Sequence, residues 1–196
     1  MSFPPGFDDH PARMSLVAAG RVASRMSATR DMRGATVTTK DVFPEDEWIR
    51  IRRAPFVAGM AISLADPGGP FEMGRETMAT VRSATNPPSR EQLLSEIALD
   101  LQDMTQHKKN PMSDFKLAKD SAPGAQVLAE LSAVSALVRA KASDEEYDAF
   151  RNWLVTTAEA AASAAKEGGF MGFKAVQVSA GEQAMLEQLR SALDLS

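Results

Sequence analysis

Residues 143–165, SDEEYDAFRNWLVTTAEAAASAA, carry the strongest structural signal in this chain. Ser143 and Glu146 have the spacing of a capping box, in which each side chain accepts the other residue's backbone N–H. Tyr147, Phe150 and Leu154 then recur at helical intervals, with Trp153 beside them. From Ala158 to Ala165 almost every residue is small. Alanine favours helix, and short side chains let neighbouring helix axes approach closely. The spacing predicts one long helix built to be packed against.

Working outward, the same logic repeats. Upstream, Pro123 opens a helix with Val127, Leu131, Val134 and Val138 on one face, widened by Leu128. Glu130 is its only charge before Val138, so it is expected to be the most buried helix. Downstream, Gly168-Gly169 has the character of a C-cap. Phe170 to Val178 shows short strand-like alternation, and Ser179 with Glu182 then starts a last helix carrying Met185, Leu189 and Leu193.

Toward the N-terminus, Ser89 and Gln92 read as another capping box, followed by Leu94, Ile97, Leu101 and Met104 on one face. Residues 105–120 are polar, contain Asn110-Pro111 and read as a linker with one helical turn. A shorter helix is expected from Phe71 to about Arg82, after the tight connection Asp66-Pro67-Gly68-Gly69-Pro70. Before that, Pro44 and Glu45-Asp46-Glu47 start a helix in which Trp48 and Ile51 share a face, and Pro55 predicts a kink or break near Ala54. Residues 54–65 are uncharged but too few to span a bilayer, which takes about 20. The expected fold is all-α: a bundle of about six helices over residues 41–196, with a basic arm at 1–40 and one short glycine-rich segment.

Composition excludes much. The 196 residues include no cysteine, which removes disulfides, thiol nucleophiles and cysteine-ligated metals, and two histidines, which argue against a multi-histidine metal site. The net charge of −4 is unevenly divided. Residues 1–40 hold six basic and three acidic groups, a net +3; the rest hold 16 and 23, a net −7. Such a body argues against nucleic acid as a partner, and Arg50, Arg52 and Arg53 lack the interleaved aromatics of a nucleic-acid patch. The Arg- and Ser-rich leader has no continuous apolar region and resembles a transit peptide or a mobile arm able to embrace a second copy.

Two constellations stand out chemically. Glu96, Asp100, Asp103 and His107 fall on one helix face and offer a carboxylate–imidazole set for a metal ion. A di-metal bundle instead uses Glu-x-x-His at i, i+3 twice. A solvated helix flank is the simpler reading. Gly168 to Phe173 places Phe170, Met171 and Phe173 among glycines, either as a plug between helices or as a partner-binding loop. No cofactor motif is present: neither a Walker loop, nor a dinucleotide fingerprint, nor a Gly-x-Ser-x-Gly elbow.

Ala65 to Pro70 and Lys166 to Phe173 resemble segments of small helical bacterial proteins without an assigned activity, over roughly residues 44–84 and 150–195. The resemblance implies a bacterial, cytoplasmic chain and carries over no functional residue. The expectation is a non-catalytic interaction or scaffold protein that self-associates or docks on a protein partner. The alternative is a metal- or small-ligand-binding protein using the 96–107 stripe or an apolar pocket near Met60. No helix combines a Lys/Arg-rich face with a strongly apolar one, which makes peripheral membrane contact a weaker third reading.

Overall fold

Glu45, Asp46 and Glu47 complement the N-terminal dipole of the first helix, α1 (Glu45–Ala65), which then buries Trp48, Ile51, Ala54, Val57, Ala58, Ala61 and Ile62. The computed structural model describes residues 29–30, 36–67, 70–166 and 178–195, with side chains placed for 38–67, 73–164 and 178–195. Five more α-helices follow: α2 (Pro70–Thr85), α3 (Gln92–Gln106), α4 (Pro123–Arg139), α5 (Asp144–Lys166) and α6 (Ala180–Ala192). The protein is an all-helical bundle, with α1 and α5 at its centre: α5 packs on α1 and α2, and α1 on α4. A two-residue ladder pairs Thr29–Arg30 with Thr36–Val37 antiparallel, before a 3₁₀ turn at Lys40–Val42.

Three expectations need correcting. Of the kink or break expected at Pro55, the break does not occur: α1 runs from Glu45 to Ala65 through it. A mid-helix proline costs about 3 kcal/mol. Here Ala54, Val57 and Ala58 beside it are fully packed, and that burial outweighs the loss. The most buried helix is α1, not α4. In α4 the four predicted core residues and Ser135 are buried, but Ala125, Ala129, Ser132, Ala133 and Ala136 face solvent. Absence of charge there came from alanine and serine, which are neutral at a surface.

Ser89 does not cap α3. Its Oγ accepts the Glu91 N–H at 3.2 Å, one residue too early for the box, and the N-cap residue is Glu91. The capping boxes at Ser143/Glu146 and Ser179/Glu182 form with both reciprocal bonds. Residues 107–121 carry no α-helix, yet Met112, Phe115 and Leu117 pack against the core, so this connection is pinned down.

The last residues of the expected arm are also packed. Thr38 is buried, and its N–H donates to Glu146 Oε1 at 3.2 Å. That same oxygen accepts from Leu93 N at 3.4 Å, while Oε2 serves Ser143 N. One buried carboxylate thus satisfies otherwise unpaired N–H groups at the starts of α3 and α5. Phe43 lies against Trp48, with ring centroids 6.1 Å apart. The glycine-rich segment and its Phe170, Met171 and Phe173 lie outside the described residues.

Candidate interaction surface

The carboxylate stripe on α3 divides into two halves. Asp100 turns toward α1: its Oδ2 accepts from Trp48 Nε1 at 2.6 Å, Lys40 Nζ at 3.2 Å and Arg52 at 3.4 Å. Burial pushes this carboxyl up, but the hydrogen bonds from Trp48, Lys40 and Arg52 outweigh it and hold the group below its ordinary value. Glu96 accepts from Lys40 N and from Gln92 Nε2 at 2.8 Å, both neutral donors. Asp103 and His107 point to solvent, with His107 Nδ1 3.2 Å from Asp103 Oδ1. Among the described residues no group of three or more His, Asp or Glu side chains is placed to hold a metal ion. The helix period put four candidate ligands on one flank; the neighbours then drew two of them inward.

The Arg50, Arg52 and Arg53 cluster is likewise committed to structure. Arg50 makes two bonds to Glu130, at 3.0 and 2.8 Å, and Arg53 adds a third at 2.8 Å. Burial raises the Glu130 carboxyl, but the bonds from both arginines dominate and hold it low; in return, Glu130 raises Arg50. The Arg53 guanidinium also lies 5.0 Å over the Phe115 ring. Beside it, Phe115, Leu117, Gln126, Ala129 and Glu130 line an open groove of about 310 Å³. Of its polar lining, Lys116 is exposed, and Gln126 and Glu130 are already used. Gln126 bonds to the backbone of Ala118 and Ser121, and Glu130 to the arginines. Met60 packs on the core.

The outer face of α2 and α3 is different. The inner side of α2 is fastened to the bundle: Glu76 accepts from Ser63, Trp153 Nε1 donates to Ser83 O at 2.9 Å, and the Ser83 and Thr157 hydroxyls lie 2.8 Å apart. Gly59 permits this approach, since a Cβ there would meet Thr80 Oγ1 at 2.3 Å. With that side anchored, Arg75, Met78 and Arg82 share the outward ridge at i, i+3, i+7. All three are exposed, Met78 by 62%.

Arginine pairing separates this face from the rest. Arg50, Arg52, Arg53, Arg151 and Arg190 have carboxylate partners, and Arg139 lies over Tyr147. Arg75, Arg82 and Arg90 have no carboxylate partner among the described residues. The exposed large hydrophobic side chains of the described residues are Met73, Met78 and Leu99, and all three lie on α2 or α3. Sequence reasoning missed this face. Leu99 was the readable signal, because it falls on the opposite side of α3 from Ile97 and Leu101.

Compared with protein-family models, curated proteins and solved structures, the chain matches none. No helix among the described residues is long and apolar enough to cross a membrane.

Proposed function

We propose that this chain is a non-catalytic interaction protein, and that the outer face of α2 and α3 binds another polypeptide. One observation carries the reading. Met78 and Leu99, two of the three exposed large hydrophobics of the described residues, lie on the helices whose Arg75 and Arg82, with Arg90 between the helices, have no carboxylate partner among the described residues. Arginine and methionine are enriched in protein interfaces, where arginine forms charge-assisted bonds and methionine adapts to the shape opposite. The acidic body makes a polypeptide a better fit than nucleic acid. A cytoplasmic setting suits a cysteine-free chain of this kind and completes the proposal.

The test compares wild type with an Arg75→Glu/Met78→Ser/Arg82→Glu variant, each tagged and purified from extracts of the source organism. A polypeptide retained by wild type and lost by the variant is the expected result, with both chains melting alike. Equal retention by the two, identified by mass spectrometry, would sink the reading.

A further inference from the structure

We infer that the partner is a second copy of this chain, which lays its α3 against the first copy's α2 and its α2 against the first copy's α3. The inference rests on the interaction reading above and names the partner that reading leaves open.

The two ridges match. On α2 the sequence is Arg75, Met78, Arg82; on α3 it is Glu96, Leu99, Asp103, of which Leu99 and Asp103 are exposed, while Glu96 is partly buried and bonded to the neutral Lys40 N–H and Gln92 side chain and to no cation. Both run charge, apolar, charge at i, i+3, i+7, so the charges at either end of each ridge stand about 10.5 Å apart along the axis. The signs are opposite, and the central side chains, Met78 and Leu99, are each 62% exposed. Because both arginines of the α2 ridge carry the same sign, the exposed Asp103 meets an arginine whichever way the helices run. A like ridge, by contrast, would repel. Complementarity of this kind suppresses wrong pairings as well as favouring the right one.

Within one copy the ridges do not neutralise each other: no ion pair joins α2 to α3 among the described residues. They do come together at one edge. Gln102 Nε2, one turn along from Leu99, donates to the carbonyl of Thr85, one turn along from Arg82, at 2.8 Å. Two opposite ridges on adjoining helices suit a two-fold arrangement, in which each contact is made twice. Helices of 16 and 15 residues are about 24 and 22 Å long, so the paired face sits at the small end of specific interfaces and the dimer is reversible.

Sedimentation equilibrium over a concentration series tests this with three single variants: Arg75→Glu, Arg82→Glu and Asp103→Arg. Wild type is expected to dimerise reversibly, and each variant alone to associate about tenfold more weakly or worse. An equimolar mixture of Asp103→Arg with one of the two arginine variants is expected to recover wild-type association. In that mixed dimer both contacts regain opposite charges, and which arginine succeeds reports the direction of crossing. Leu99→Ser removes a contact without reversing charge, and keeps the test readable if a charge-reversed chain fails to fold.

Failure of both mixtures to recover, or a dimer untouched by all four variants, would overturn the inference. So would a wild type that stays monomeric throughout. A monomer that still captures a different polypeptide through Arg75 and Arg82 would overturn self-pairing alone and leave the interaction reading standing.

Discussion

Two arginine clusters stand on opposite terms with the rest of the molecule. On α1, Arg50 and Arg53 close on Glu130, and Arg52 joins Lys40 at Asp100; every charge there has its counter-charge within the chain. On α2, Arg75 and Arg82 have none among the described residues, and Met78 between them faces water. The residue types are the same and the consequences are not. A paired, desolvated arginine fixes one helix against another. An unpaired one keeps its donors for something outside the fold. Basic residues in a sequence therefore say little until their carboxylates are located.

The largest expected effect lies on the paired side. Glu130→Ala leaves Arg53 buried beside an empty acceptor, and removing one partner of such a network costs about 3 kcal/mol. At this chain length that lowers the melting midpoint by roughly 6–12 °C. A shift inside calorimetric error would erase the distinction between the clusters. Next comes Gly59→Ala, where the added methyl meets the stiff Thr80 side chain; overpacking of this kind costs about 1–3 kcal/mol. Circular-dichroism melting checks it, and a neutral result would mean that α2 is not held as closely to α1 as the ridge geometry needs.

Acid sharpens the contrast further. The carboxyls of Asp100 and Glu130 are lowered in the folded chain, so each stabilises it above the unfolded value, near pH 4, and that stabilisation fades as pH falls through the folded value. Denaturant melts are expected to be level from pH 7 to about 5 and to weaken below about 4. In Asp100→Asn the acid slope should be shallower; an unchanged slope would contradict the assignment. The smallest stability effect is expected on the open face. Met78→Ser, Leu99→Ser and Arg82→Glu should each shift stability by less than about 0.5 kcal/mol, since nothing in the fold depends on them. A loss of 2 kcal/mol or more at any of them, on the order of a core truncation, would show that the face is structural after all.

Much of the fold was legible because helix periodicity and capping are local. The Tyr147, Phe150, Leu154 stripe, the Ser143 and Ser179 caps and the apolar faces of α3 and α6 all follow from spacing alone. What failed depended on neighbours. Pro55 is tolerated because of what packs around it, and the Ser89 hydroxyl was drawn into a turn. The metal-like stripe divided because Lys40, Trp48 and Arg52, all distant in sequence, reach Asp100 but not Asp103. The α2 ridge was hidden for the complementary reason. Nothing in the spacing of Arg75 and Arg82 announces that no carboxylate among the described residues pairs with them.

The central claim, that the outer face of α2 and α3 exists for contact rather than for folding, is tested most directly by amide hydrogen exchange at two protein concentrations. Concentrated protein is expected to exchange more slowly than dilute protein within residues 73–85 and 95–106 only, with α1, α4 and α5 unchanged. Extra protection confined to α4, or none anywhere while the protein still self-associates, would contradict it.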